Sequence, residues 1–245
     1  MGTRRVLTAT IVGACCVGVG AVLMTSAARS AATTVPVSVG PGGMLVFSPA
    51  NVTAHQGDTV KWTWDSSGHT TTDTTGLGLW DSNIRSVNAT FTHKFVHAGT
   101  FGYHCQVHFM FGMVGSVKVP LMLTKSGSKV TVRWASSAPA AGFVEDVQQQ
   151  KPGAASFTSL VTGSTAQSKA ITLTRGTWKF RARYRKVATA RASGYSPVAT
   201  VNISRAPADI PQQGVTPPTQ PCNARRAPYG LKGRPGRRER SGTGT

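Results

Sequence analysis

Acid is scarce in this chain. Asp and Glu together number eight among 245 residues, against 27 Lys and Arg. There is no carboxylate pair for acid–base work, no nucleophile elbow and no phosphate-cradling glycine loop. The familiar hydrolase and nucleotide-enzyme constellations are therefore excluded, and the chain is read as a protein that is not an enzyme. Cysteine is scarcer still, with four residues: Cys15, Cys16, Cys105 and Cys222. The first two fall in an apolar leader, and Cys222 lies in a Pro- and Arg-rich tail. That leaves Cys105 as an unpaired core thiol, for which metal ligation is a common explanation. Clear helical periods are also missing, while Gly (27) and Pro (14) are frequent, so the expected class is all-β. Apolar residues make up 40%, enough to bury cores, and the length allows about two domains.

The leader is set aside before any fold reasoning. Arg4 and Arg5 precede an apolar run from Val6 to Met24, and Thr25 to Ala32 is rich in small residues. Residues 1–32 read as an export signal cleaved between Ala28 and Thr33. The alternative is an uncleaved membrane anchor over residues 6–24. Either way the chain is expected outside the cytoplasm, as a secreted, cell-surface or periplasmic protein.

Residues 33–120 read as short strands separated by turn signals. Met44 to Phe47, Asn51 to Ala54, Thr59 to Trp64, Ala89 to Phe95, Thr100 to Cys105 and Gly115 to Val119 are the candidates. In Thr59–Trp64 the alternation puts Val60, Trp62 and Trp64 on one face. The chemistry concentrates in Tyr103-His-Cys-Gln-Val-His108-Phe-Met-Phe-Gly-Met113, a C-x2-H-x4-M pattern at a strand end, with His69 on a separate loop upstream. A thiolate, two imidazoles and a weak axial thioether form the blue-copper ligand set. Strand alternation points Cys105 inward and His104 and Gln106 away. Met110 is the alternative axial ligand to Met113. A zinc site would need a fourth strong ligand, and none is evident. His55, His93 and His97 are expected at the surface.

These residues carry a resemblance to the plastocyanin and pseudoazurin branch of the cupredoxins. Phe47-Ser-Pro49, Gly57-Asp-Thr-Val-Lys-Trp62, Trp80-Asp-Ser82, Phe91, Phe95 and Gly99-Thr-Phe-Gly-Tyr103 resemble that family's frame over nearly all of residues 35–119. The resemblance implies a Greek-key sandwich that binds one type 1 copper ion through His69, Cys105, His108 and Met113. Phe109, Met110 and Phe111 follow His108 directly and are expected to form an apolar collar on which a redox partner protein would dock.

Residues 121–207 resemble a fibronectin type III domain. The resemblance rests on Trp134 in Val-Thr-Val-Arg-Trp, on Leu173 to Trp178 with Trp178 where tyrosine is usual, and on Gly194-Tyr-Ser-Pro197. The implied architecture is thus all-β, a cupredoxin sandwich followed by a fibronectin type III-like β-sandwich. Charge divides unevenly. Residues 33–120 are neutral, with four bases and four acids, whereas residues 121–207 carry 13 bases and two acids. Lys179, Arg181, Arg183 and Arg185 alternate with Trp178, Phe180, Ala182 and Tyr184, which places four bases on one strand face. An anionic cell-wall polymer or membrane lipid is the partner expected there, and the export signal argues against nucleic acid. Residues 208–245 read as a basic disordered tail. The function these features imply is single-electron transfer outside the cytoplasm. The alternative is copper storage, delivery or tolerance.

Overall fold

The structure is a computed structural model that describes residues 31–204. The leader over residues 1–30 and the chain beyond Ser204, with Cys15, Cys16 and Cys222, lie outside the described residues. The first eight strands are β1 (Thr34–Val39), β2 (Phe47–Ser48), β3 (Asn51–Thr53), β4 (Thr59–Trp64), β5 (Thr72–Asp73), β6 (Thr90–Lys94), β7 (Gly99–His104) and β8 (Val114–Val119). They form two four-stranded sheets with orders β2-β1-β4-β6 and β3-β8-β7-β5. The pairs β1/β4 and β3/β8 are parallel and the others antiparallel. Strand alternation builds the core between the sheets: Val60, Trp62 and Trp64 of β4 are fully buried and face Phe101 and Tyr103 of β7 and Val117 and Val119 of β8. Trp62 stacks on Trp80 at 5.8 Å and meets Tyr103 edge-on at 5.5 Å.

One expected strand is largely absent. Residues 41–43 make a 3-10 turn instead, because Gly40, Gly42 and Gly43 all adopt left-handed backbone angles. The extended run starts only at Phe47, and Met44 is left exposed.

The chain then crosses two residues, Pro120 and Leu121, into β9 (Met122–Ser126), β10 (Lys129–Arg133), β11 (Phe143–Gln150), β12 (Thr158–Ser164), β13 (Ser168–Thr172), β14 (Gly176–Lys186) and β15 (Ala199–Ile203). Three of these pair as β13-β10-β9 and four as β12-β11-β14-β15, all antiparallel. Val130, Val132, Trp134, Val147, Trp178, Phe180 and Ala182 fill the space between. The Trp178 indole N–H donates to the Thr174 carbonyl at 3.0 Å, four residues upstream, and so pins the corner before β14.

The two sandwiches are joined by more than the linker. Thr100 and Gly194 exchange both backbone hydrogen bonds at 2.9 Å, Ala98 N–H donates to Trp134 O, and Ser136 N–H donates to Val96 O. His97 is not at the surface as expected. Its ring stacks on Tyr184 at 3.9 Å, and its Nδ1 lies 2.7 Å from Glu145 Oε1. His93 is likewise tucked in, against Trp80 and Phe95. A histidine at a strand end reads as polar from sequence, but here a second sandwich covers it.

Glu145 is fully buried, and its Oε2 has no hydrogen-bond partner among the described residues. Burial, and then the neighbouring Asp146 charge, push its carboxyl up to about 9. Burial pushes the His97 imidazole down to about 4. The pair is therefore a hydrogen bond between neutral partners, and it holds one proton from about pH 4 to about pH 9. In the unfolded chain the same two groups hold one proton only between their ordinary values of 4.5 and 6.5, and none above. Above pH 6.5 the folded state therefore binds the extra proton. Its stability should fall by on the order of 1 kcal/mol per pH unit until about pH 9. Urea unfolding across this range checks the slope, and Glu145→Gln should flatten it.

Candidate metal centre

His69 is delivered by the loop that leaves β4. Gly68 turns with a left-handed φ of 88°, and the His69 backbone then bridges to Arg85, with Arg85 N–H donating to His69 O at 3.0 Å. The buried Trp64 indole N–H also donates to His69 O, at 2.9 Å. The side chain is oriented from behind. Ser66 Oγ–H donates to Gly40 O at 2.7 Å, which leaves the Ser66 oxygen as acceptor for the His69 Nε2–H at 3.2 Å. That arrangement protonates Nε2 and leaves the Nδ1 lone pair facing inward. Burial, and then the charge of neighbouring His108, hold the His69 imidazole below its ordinary value, so it is a neutral donor.

Cys105 and His108 come from the turn after β7. His108 N–H donates to Cys105 O, Cys105 N–H donates to Met113 O, and Met113 N–H donates to His108 O. Gly112, at φ 82°, ends the short 3-10 turn Phe109–Phe111 and lets the chain come back over Cys105. The result is a convergence of three donors. His108 Nδ1 lies 3.4 Å from Cys105 Sγ and 3.0 Å from His69 Nδ1, and His69 Nδ1 lies 3.8 Å from the sulfur. All three atoms fall within 4.8 Å of one another.

A sulfur and two imidazole Nδ1 atoms converge on one point, with the His69 Nδ1 lone pair turned toward it, and this donor chemistry fits a metal. Soft sulfur with two imidazoles suits copper. Met113 is fully buried within the same core, whereas Met110, the other thioether considered, is 78% exposed. His104 stays out of the cluster. It pairs with Thr72 across the sheet and lies against Phe109. His55, His93 and His97 are not part of it either. Beside the site Phe109, Met110 and Phe111 stand 46%, 78% and 74% exposed.

Sequence reasoning missed the supports. Thr70 N–H donates to Cys105 Sγ at 3.3 Å, and Thr70 Oγ1 accepts the Gln106 N–H at 2.9 Å, so one residue ties the two ligand loops together. Its place directly after His69 was the available signal. Ser66, three residues before His69, carried none. Gly40 lies 29 residues upstream and matters only because the fold brings it there. A Cβ on Gly40 would overlap Ser66 Oγ and come within 2.7 Å of His69 Nε2, at a φ of 67° that disfavours any side chain.

Ser66→Ala should therefore weaken metal affinity by about 10–100-fold, the usual effect of losing an outer-sphere partner. Gly40→Ala should weaken it at least as much. Competition with a chelator measures both, and far-UV circular dichroism checks that the fold persists.

Comparison with known proteins places the stretch that carries this site. Residues 33–120 match the family of copper binding proteins, plastocyanin/azurin family. The chain is 35% identical over 82 residues to pseudoazurin of Methylorubrum extorquens, covering 33% of this chain and 55% of that protein. It is 38% identical over 88 residues to a chloroplastic plastocyanin of Tetradesmus obliquus, covering 31% of this chain and 60% of that protein. The chain thus spans little more than half the length of these curated relatives. Among solved structures, a purple cupredoxin from Nitrosopumilus maritimus is 28% identical, covering 35% of this chain and 98% of that one, with a TM-score of 0.31.

Proposed function

We propose that this chain, whose residues 33–120 match the family of copper binding proteins, plastocyanin/azurin family, is an extracytoplasmic single-electron carrier rather than an enzyme, with one type 1 copper ion held by His69, Cys105, His108 and Met113. The observation that carries the reading is the mutual approach of His69 Nδ1, His108 Nδ1 and Cys105 Sγ within 4.8 Å. Copper held there supplies a one-electron couple between Cu(I) and Cu(II) in a site that suits both states. The protein's part is to keep the donors in place. Ser66 sets the His69 tautomer, Thr70 N–H stabilises charge on the Cys105 sulfur, and the buried Trp64 and Tyr103 behind the site exclude water.

Phe109, Met110 and Phe111 lie next to His108 in sequence and are exposed, which supports an apolar docking collar for a redox partner. The exposed Met110 thioether also supports copper delivery as the second reading, because a soft donor beside the site could receive Cu(I). Reversible voltammetry with rapid self-exchange would favour the carrier. Transfer of copper to an apo-partner would favour delivery.

The sheets β13-β10-β9 and β12-β11-β14-β15 support the fibronectin type III-like reading of residues 121–207. The case for an anionic polymer or lipid on β14 narrows. Arg183 and Arg185 both reach Asp146, at 3.2 and 2.8 Å, and Arg181 is sandwiched between Phe157 and Tyr195 at 4.1 and 4.2 Å. Only Lys179 of the four is exposed, the others being half-buried. If a polyanion binds here, retention on anionic vesicles should fall as salt shortens the Debye length to roughly 3 Å near 1 M. Reversing Lys179 and Arg181 should then abolish that retention.

Cys105→Ser should eliminate the intense thiolate-to-copper absorption, read from the visible spectrum of the copper-loaded protein. Met113→Gln should keep the copper and change the potential. Met110→Lys should slow electron exchange with a partner while leaving the spectrum as it was; unchanged exchange would remove the collar from the account.

A further inference from the structure

Asp58 stands at the turn into β4 and is almost wholly buried. Both of its oxygens are engaged, Oδ1 accepting the Thr33 N–H and Oδ2 the His55 N–H, each at 2.8 Å. Burial alone would raise its pKa, but these backbone donors more than reverse that and keep the carboxylate ionised. Thr33 is held on its other side as well. Its carbonyl accepts the Thr59 N–H at 2.9 Å, directly before the parallel pairing of β1 with β4 begins at Thr34 and Thr59. Thr33 is thus fixed on both sides, immediately before β1 begins.

Ala31 and Ala32, just before it, are exposed. They line an open cavity of about 380 Å³ together with His55, Gln56, Asp58 and Lys94. Gln56 commits its Nε2 to Pro120 O and Arg133 O, and its buried Oε1 has no hydrogen-bond partner among the described residues. Each oxygen of this buried carboxylate is matched by a neutral amide N–H rather than by a charged donor. The carboxylate would serve a cation with three N–H donors better.

The sequence supplies such a cation. Ser30 and Ala32 stand third and first before Thr33, small residues at the two positions that leader cleavage requires. We infer that the leader is cut at the Ala32–Thr33 bond and that Asp58 is the receptor for the α-ammonium released there. This rests on the export reading above. Hydrolysis adds one water across the amide, leaving a carboxylate on Ala32 and an ammonium on Thr33. The nitrogen already lies 2.8 Å from Asp58 Oδ1, so the neutral hydrogen bond becomes a charge-assisted one without movement of the strand. Of the cuts open between Ala28 and Thr33, this one alone puts the new charge at Asp58. A cut after Ala28 would leave Arg29 to Ala32 as an overhang.

The first test is the intact mass of the full chain, expressed with its own leader and recovered from the extracytoplasmic fraction. A product beginning at Thr33 is expected. A product beginning at any other residue overturns the inference, and a chain retained whole in the cell shows that the export reading itself has failed. The second test measures labelling of the α-amine by an acylating reagent at neutral pH, with His55 and Lys94 as the other titratable groups facing the site. An ordinary α-amine titrates near 8, and each unit by which Asp58 raises that value slows labelling about tenfold. Asp58→Asn should restore the fast rate, and so should a variant that starts one alanine earlier. Equal rates in all three proteins would overturn the pairing even if the cut is as stated.

Discussion

Thr70 stands between two loops that the chain supplies 36 residues apart, and it holds both. Its backbone N–H reaches the Cys105 sulfur and its hydroxyl oxygen takes the Gln106 N–H, while Thr72 Oγ1 lies 3.0 Å from that same oxygen. The tie adds to the pairing of Thr72 with His104 across β5 and β7 in holding the His69 loop against the Cys105 turn. With it the donors are arranged by the protein. The two orienting contacts on His69, Ser66 behind the ring and Trp64 on the carbonyl, depend on the same loop being in place.

The second sandwich acts on the other end of the first. Thr100 and Gly194 exchange hydrogen bonds at the start of β7, while Cys105 follows its end. At a rise of about 3.3 Å per residue, the joint and the thiol lie roughly 17 Å apart along the strand. The joint therefore leaves the exposed residues beside His108 open. It is also built as an interior, with Tyr184 of β14 packing into the first core and Ala98 into the second. A neutral Glu145–His97 pair sits within it because neither group can keep a charge there. Residues 121–204 are thus packed on the copper-binding part and are not a bead on a loose tether.

The basic face of β14 shows how one pattern can serve a different end. Four bases at alternate positions read as a surface for a polyanion. In the fold, Asp146 lies across the strand pair and takes two of them, and Phe157 and Tyr195 enclose a third. Cation–π contact and a shared carboxylate offset most of the mutual repulsion. Asp146 is held ionised by the same arginines, which outweigh its burial.

By itself the sequence determined the all-β class and the inward faces of β4 and β7, and it singled out His69, Cys105 and His108, which the fold then brings together. Those depend on residue type and on spacing within one strand or turn, where a period of two and a C-x2-H-x4-M interval carry the information. The tertiary structure decided what depends on contacts between distant segments. Gly40 could be seen as a constraint on His69 only once β1 lay beside β4, and Thr70 as a staple only once its loop met the turn after β7. His97 became a buried partner of Glu145, rather than a surface residue, because 48 residues of intervening chain fold a second sandwich over it. Local periodicity reports which way a side chain points, but it cannot report what the rest of the chain brings to meet it.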